Sequence, residues 1–231
     1  MGVSMDYTRL TGESPDYLRA REELRLADIE LMQHRERVAE MRRALPLGPV
    51  VDDYEFLEGP RSLDDGDAPV GSVRLSELFT AADRPLIVYH LMYGKAQTEP
   101  CPMCTQWLDG FNGIAHHVAQ NADLVVAAAA DPVALRAHAR DRGWDRLRLL
   151  SCGDNSFKYD LRSEEPDGSQ DSTVSVFVRD NDGNVRHTYT TRPRMSADIP
   201  ERGIDLLCAT WNLLDLTPQG RGDWYSSLSY A

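Results

Sequence analysis

Residues 85–107 read PLIVYHLMYGKAQTEPCPMCTQW. An apolar run with strand character, PLIVYHLMYG, gives way to turn residues. Cys101 and Cys104 then stand three apart at the entrance of a segment that reads as a helix from about residue 103 to 120. Within it Met103, Trp107, Phe111, Ile114 and Val118 follow helical spacing, which predicts one buried stripe. Downstream, DLVVAAAA (123–130) reads as a buried strand, DPVALRAHARDRG (131–143) as a helix stopped by Gly143, and LRLLS (147–151) as a third strand. Strands that alternate with helices predict a parallel sheet. The pattern changes at STVSVFVRDNDGNVRHTYTT (172–191), where two extended runs flank Asn181-Asp182-Gly183-Asn184, strong hairpin chemistry. ERGIDLLCATWNLLDL (201–216) predicts a closing helix with Leu206, Leu207, Trp211 and Leu214 toward the core. A strand, a CxxC at a helix mouth, a crossover strand, a hairpin and a closing helix is the element order of an α/β thioredoxin-like fold, a central mixed sheet flanked by helices.

Upstream, SPDYLRAREELRLADIELMQHRERVAEMRRAL (14–45) is the clearest single helix. Ser14 suits the cap, Pro15 the first helical position, and Asp16 the positive end of the helix. Tyr17, Leu24, Leu31, Val38 and Leu45 recur every seven residues, each followed three places later by Ala20, Ala27, His34 or Met41 where the helix continues. That narrow seam fits either packing on its own domain or pairing with the same helix of a second subunit. Pro46, Gly48 and Pro49 end it. The expected organisation is an N-terminal helical arm (1–48), an acidic linker with one short strand (49–70), and the thioredoxin-like domain (71–231), in which RLSELF predicts a short helix.

Composition limits the function. A chain of 231 residues that is 42% hydrophobic can bury a core without disulfide staples. Four cysteines and an N-terminus lacking an apolar signal run predict a reducing, cytoplasmic setting. Apolar runs of strand length are too short to cross a bilayer. A net charge of −12 with no compact basic patch speaks against nucleic acid as a partner. No membrane partner and no cofactor is expected.

From about residue 15 to 224 the chain resembles a bacterial family, DUF899, described as thioredoxin-like. The resemblance is carried by YHLMYG (89–94), CPMCTQWLDGFNG (101–113), His117, GW (143–144), YDL (159–161), SVFVRDNDG (175–183), HTYTT (187–191) and LDLTPQGR (214–221). It implies a thioredoxin-like sheet with a thiol site at Cys101 and Cys104, and no particular substrate. Two features of thioredoxins are missing. Val174 stands where their cis-proline faces the dithiol, and Pro100 replaces the tryptophan before it.

Three readings of the cysteine pair compete. As a redox dithiol, Cys101 at the helix entry gains from unpaired amides and the helix dipole, which favour a thiolate, while the more buried Cys104 resolves the mixed disulfide. The partners are then a thiol or disulfide substrate and a cellular thiol reductant. Glu99 opposes the thiolate if it points at the sulfur. As a metal module, Cys101 and Cys104 supply half a site and His90 a further ligand. As a structural pair, the two are core thiols in a buried turn. Thr98, three residues before Cys101, adds a thin peroxiredoxin-like match, although Gly94 occupies the proline position of that motif. His90, late in its strand, is a candidate proton donor or cationic neighbour, or else a core histidine. His117 lies about 24 Å along the helix from Cys101, too far for chemistry unless the helix breaks at Gly110 or Gly113. Asp109 and Asn112 are candidate caps of a second helix. Cys152 is the one spare thiol with a chance of reactivity, and Cys208 reads as core filling.

Overall fold

The computed structural model describes residues 10–197 and 202–230. Glu201, the expected start of the closing helix, and residues 1–9 of the N-terminal arm lie outside the described residues. The chain divides into two units, 1–46 and 47–231.

In the first unit, helix α1 (Pro15–Arg43) opens as expected. The Ser14 hydroxyl accepts from the Tyr17 amide at 3.2 Å, and Pro15 begins the helix. None of its residues is buried, and of its apolar seam Tyr17, Leu24, Leu31 and Met41 are exposed while Val38 is half-buried.

The second unit is built on a seven-stranded sheet in the order β2-β1-β5-β4-β3-β6-β7. The strands are β1 (Glu55–Glu58), β2 (Gly71–Arg74), β3 (Leu86–His90), β4 (Asp123–Ala128), β5 (Arg148–Ser151), β6 (Thr173–Arg179) and β7 (Val185–Thr191). β3, β4 and β5 run parallel and are linked by α2 (Pro102–Val118) and α3 (Pro132–Arg142). β6 and β7 form the antiparallel hairpin beside β3, its turn closed by the Gly183 amide on the Asp180 carbonyl at 3.0 Å, with Gly183 at φ +85°. The dithiol strand in the middle, a parallel crossover to one side and a hairpin to the other make this a thioredoxin-like fold.

Residues 49–70 do more than link. β1 pairs with both β2 and β5, so the segment extends the sheet. Residues 49–51 run along the outer edge of β7, with Val51 donating to Val185 at 3.0 Å and His187 donating to Pro49 at 3.1 Å. RLSELF forms a short 3-10 helix, Leu75–Leu78, after β2. From α3, the buried Arg136 reaches into the loop after β1 and donates to the carbonyls of Pro60, Ser62 and Gly66 at 2.6, 2.8 and 2.6 Å. One guanidinium satisfies three carbonyls that burial would otherwise leave unpaired.

Two expectations fail for identifiable reasons. The closing helix is broken into a 3-10 turn, Asp205–Leu207, and a short α5 (Ala209–Leu214). Leu206 and Leu207 are exposed, while Ile204, Cys208 and Trp211 are buried. The break has a local cause: Asp205 is buried and held by Arg202 and Arg221, and Asn212 caps carbonyls of the turn. The second failure is the stripe on α2. The buried positions are Cys104, Thr105, Trp107, Leu108, Phe111 and Ala115, while Ile114 is exposed. The stripe is rotated because Cys104, not the larger Met103, points at the sheet. α2 also runs unbroken through Gly110 and Gly113. Asp109 and Asn112 cap no second helix. Asp109 accepts from the Trp144 indole at 2.8 Å and from Arg142, and Asn112 accepts from the Arg146 amide at 2.9 Å, tying α2 to the turn before β5.

Candidate functional site

β3 ends at His90, and the loop that follows is held by main-chain bonds on both sides. Leu91 donates to Ala127 at 2.9 Å, Ala130 donates to Tyr93 at 2.8 Å, and Cys101 donates to Met92 at 3.0 Å. The last bond brings the start of α2 against the end of β3. Cys101 is the N-cap residue of α2, with extended backbone (φ −61°, ψ 126°), and Pro102 is the first helical residue. Proline has no amide to waste there, and its fixed φ suits the position. Cys101 is partly exposed, Cys104 is buried, and both are free thiols. Glu99 is exposed, and its charge is felt at Tyr93 and His138.

The two thiols are in contact. Burial holds the Cys104 thiol well above its ordinary value, and its hydrogen bond to Cys101 and the negative charge Cys101 can carry add to this. The Tyr89 hydroxyl and the Met92 amide pull the other way by donating to the Cys104 sulfur. Tyr89, itself fully buried, also bonds the Ser172 hydroxyl at 2.9 Å. Val174 pairs with Tyr89 across β3 and β6 and is buried on the same face.

The structure separates His90 from this group. Successive residues of a strand face opposite sides of a sheet. Tyr89 belongs to the cluster under α2 with Cys104 and Trp107, whereas the His90 ring stacks on Phe157 on the other side, at a centroid distance of 5.1 Å. Both ring nitrogens of His90 are engaged, Nδ1 by Ser163 at 2.7 Å and Nε2 by Ser175 at 3.0 Å. The chain continues from Ser175 to Thr190 at 2.9 Å and on to His187 at 2.7 Å. Burial, then the nearby Lys158 charge, holds His90 well below its usual value, so it stays neutral. Placing it beside Cys101 as proton donor or metal ligand is therefore corrected by strand parity. Among the described residues no three of His, Cys, Asp and Glu form a metal-binding group. Thr98 is exposed, and its carbonyl accepts from the Tyr93 hydroxyl at 3.3 Å. His117 sits in the last turn of an unbroken α2, its ring tilted by 40° against that of His116, and remote from Cys101. Cys152 is buried and pushed up to about 12 by that burial, which makes it a poor nucleophile. Cys208 is buried, and Gln106 donates to its sulfur at 3.1 Å.

Sequence reading missed Lys158. It lies on a four-residue helix, α4 (Phe157–Asp160), and has no exposed surface. Its Nζ donates to the Leu91 carbonyl at 2.8 Å. Burial lowers its affinity for the proton, while Cys152, Cys104, Glu164 and Asp171 oppose that shift. A signal was available. Of the chain's 25 Lys and Arg residues only two, Lys95 and Lys158, are lysines. A compact ammonium shifts its proton affinity on burial more readily than a guanidinium does. A cavity of about 440 Å³ lies elsewhere, between the far end of α2 and the starts of β4 and β5, and is lined by Arg61, Arg84, Arg146 and Arg148 among others.

Comparison with solved structures finds reduced Prx3 of Vibrio vulnificus in complex with hydrogen peroxide, at 15% identity, covering 71% of this chain and 95% of that one with a TM-score of 0.47. Xylella fastidiosa PrxQ is similar at 14% identity, with 71% and 93% covered and a TM-score of 0.48. AhpC of Mycobacterium bovis is similar at 16% identity, with 78% and 98% covered and a TM-score of 0.46. No curated protein matches the sequence. No helix among the described residues is long and apolar enough to cross a membrane. A family model described as "Bacterial protein of unknown function (DUF899)" matches residues 7–230, nearly the whole chain, so the chain belongs to the DUF899 family.

Proposed function

We propose that the chain is a thiol-disulfide oxidoreductase whose working pair is Cys101 and Cys104. The Cys101 thiolate attacks a substrate disulfide R–S–S–R′, forming Cys101–S–S–R and releasing R′–S⁻, which takes up a proton. Cys104 then displaces R–S⁻ and closes the Cys101–Cys104 disulfide, which a cellular thiol reductant opens again. The observation that carries this reading is the asymmetry of the pair: a half-buried Cys101 at the N-cap of α2, bonded to a buried Cys104. The first amides of α2 have no intrahelical partner and favour negative charge at Cys101, while burial keeps Cys104 protonated until it is needed.

Insulin reduction with dithiothreitol as electron source tests it. Wild type is expected to turn over and Cys101→Ser to lose ~100-fold or more. A wild type without turnover on insulin and small disulfides overturns the reading. Hydrogen peroxide as the oxidant in the same assay separates it from a thiol peroxidase, which the Thr98–Cys101 spacing keeps as the second reading. Metal analysis of the purified protein tests the carrier alternative.

We also propose that α1 pairs with a second copy of itself, since Tyr17, Leu24, Leu31, Met41 and Leu45 are all exposed. Light scattering should give twice the 25.9 kDa chain mass, and Leu24→Asp with Leu31→Asp should halve it. A monomeric wild type removes the proposal.

A further inference from the structure

The peptide group between Leu91 and Met92 is engaged at both ends. Its oxygen accepts from Lys158 Nζ at 2.8 Å, and its N–H donates to the Cys104 sulfur. Carbonyl and N–H share one delocalised system, so a cation on the oxygen draws electron density from the nitrogen and strengthens the N–H as a donor. Lys158 is sealed from solvent, where this polarisation is not screened by water. The titratable groups that face it are His90 on β3, Cys104 on α2, Cys152 after β5, and Glu164 and Asp171 in the segment after α4. His90 and Cys152 keep their neutral forms, which leaves Cys104 as the buried group whose charge changes in the proposed cycle.

We propose that Lys158 is a positioning residue for Cys104. Its charge reaches the sulfur through the Leu91–Met92 peptide and stabilises the thiolate that resolves the mixed disulfide. This rests on the reading of Cys104 as the resolving thiol. In the step concerned, the Cys104 thiolate attacks the Cys101 sulfur of Cys101–S–S–R. The Cys104–Cys101 bond forms, the Cys101–SR bond breaks, and the electron pair leaves on R–S⁻. The proton lost by Cys104 ends on R–SH, so no outside oxidant or reductant is required.

Ellman's disulfide divides the two half-steps. One equivalent of coloured thiolate is released when Cys101 attacks and a second when Cys104 resolves. Wild type should release two and Cys104→Ser one. Lys158→Met should leave the first release within about twofold, slow the second by ~10-fold, and raise the pH midpoint of the second alone, since one pKa unit corresponds to a factor of ten. Lys158→Arg, which keeps the charge, should recover part of the second phase. The Leu91 oxygen also accepts from the Tyr93 amide at 2.9 Å, so Lys158→Met removes a buried cation without orphaning that carbonyl. A second release of unchanged rate and midpoint in Lys158→Met overturns the inference while leaving the dithiol reading intact. A single equivalent from wild type overturns both. In wild-type protein, where folding of a variant is not at issue, the Met92 amide nitrogen resonance should shift as Lys158 loses its proton at alkaline pH. A Met92 resonance blind to that titration also overturns it.

Discussion

Tyr89 and His90 are neighbours on β3, both without exposed surface, and they face opposite sides of the sheet. His90 is fully provided for: a hydroxyl on each ring nitrogen and an aromatic ring against its face. The Tyr89 side is different. Its hydroxyl serves a serine and a thiol, and the thiol in turn bonds that of Cys101, a half-buried residue. A buried polar group whose bonds are complete is held still, whereas one that shares its partners with a group able to ionise can respond to chemistry. The contrast sets His90 apart from the cysteine pair proposed as the working site more clearly than residue type does.

The sharpest way to break this contrast is at the thiols. Cys104→Ser should lower turnover by ~100-fold and let a mixed disulfide accumulate on Cys101, seen as added mass on the intact protein. Turnover that survives would make Cys104 a bystander like Cys208. On the other face, His90→Leu should cost about 1–3 kcal/mol in urea unfolding, with specific turnover within about twofold of wild type. Ser163 and Ser175 keep other partners, Lys158 and Thr190, which limits the loss. A folded His90→Leu that has lost activity would give His90 the chemical role that the geometry denies it.

A third measurement uses pH. His90 is held below its ordinary value in the fold, so as pH falls through about 6.5 the unfolded chain takes up a proton that the folded one refuses, and stability drops. The difference between wild type and His90→Leu should therefore shrink on the acid side, by up to about 1.4 kcal/mol per pH unit. A difference independent of pH would mean that His90 titrates normally. The smallest effect is expected at Tyr89→Phe. Losing one donor to Cys104 should slow resolution about threefold and leave the attack by Cys101 unchanged.

Much of the fold was legible because its signals are local. Ser14 and Pro15 announce α1, Asp180 to Asn184 announce the hairpin, and the apolar runs of β3, β4 and β5 alternate with helices of ordinary length. β1 and β2 were harder, since four residues give too little periodicity to count. In the candidate site, the placement of Cys101 and Cys104 at the mouth of α2 could be read from their spacing and the turn residues before them. The exclusion of His90 depends on which way β3 faces, and the apolar run LIVYH, buried on both sides, carries no alternation to reveal it. Lys158 was hidden for a related reason: its burial comes from long-range packing of a four-residue helix that no window average detects.

Residues 49–51 on the outer edge of β7 bear on how a substrate can approach. An extended peptide often binds by adding a strand to an open sheet border. Here the chain has filled the border at Val185–His187 with itself, and the opposite border is the four-residue β2. Under the proposed thiol-disulfide function, a substrate would then be met at the loop that carries Cys101 and not along a sheet border.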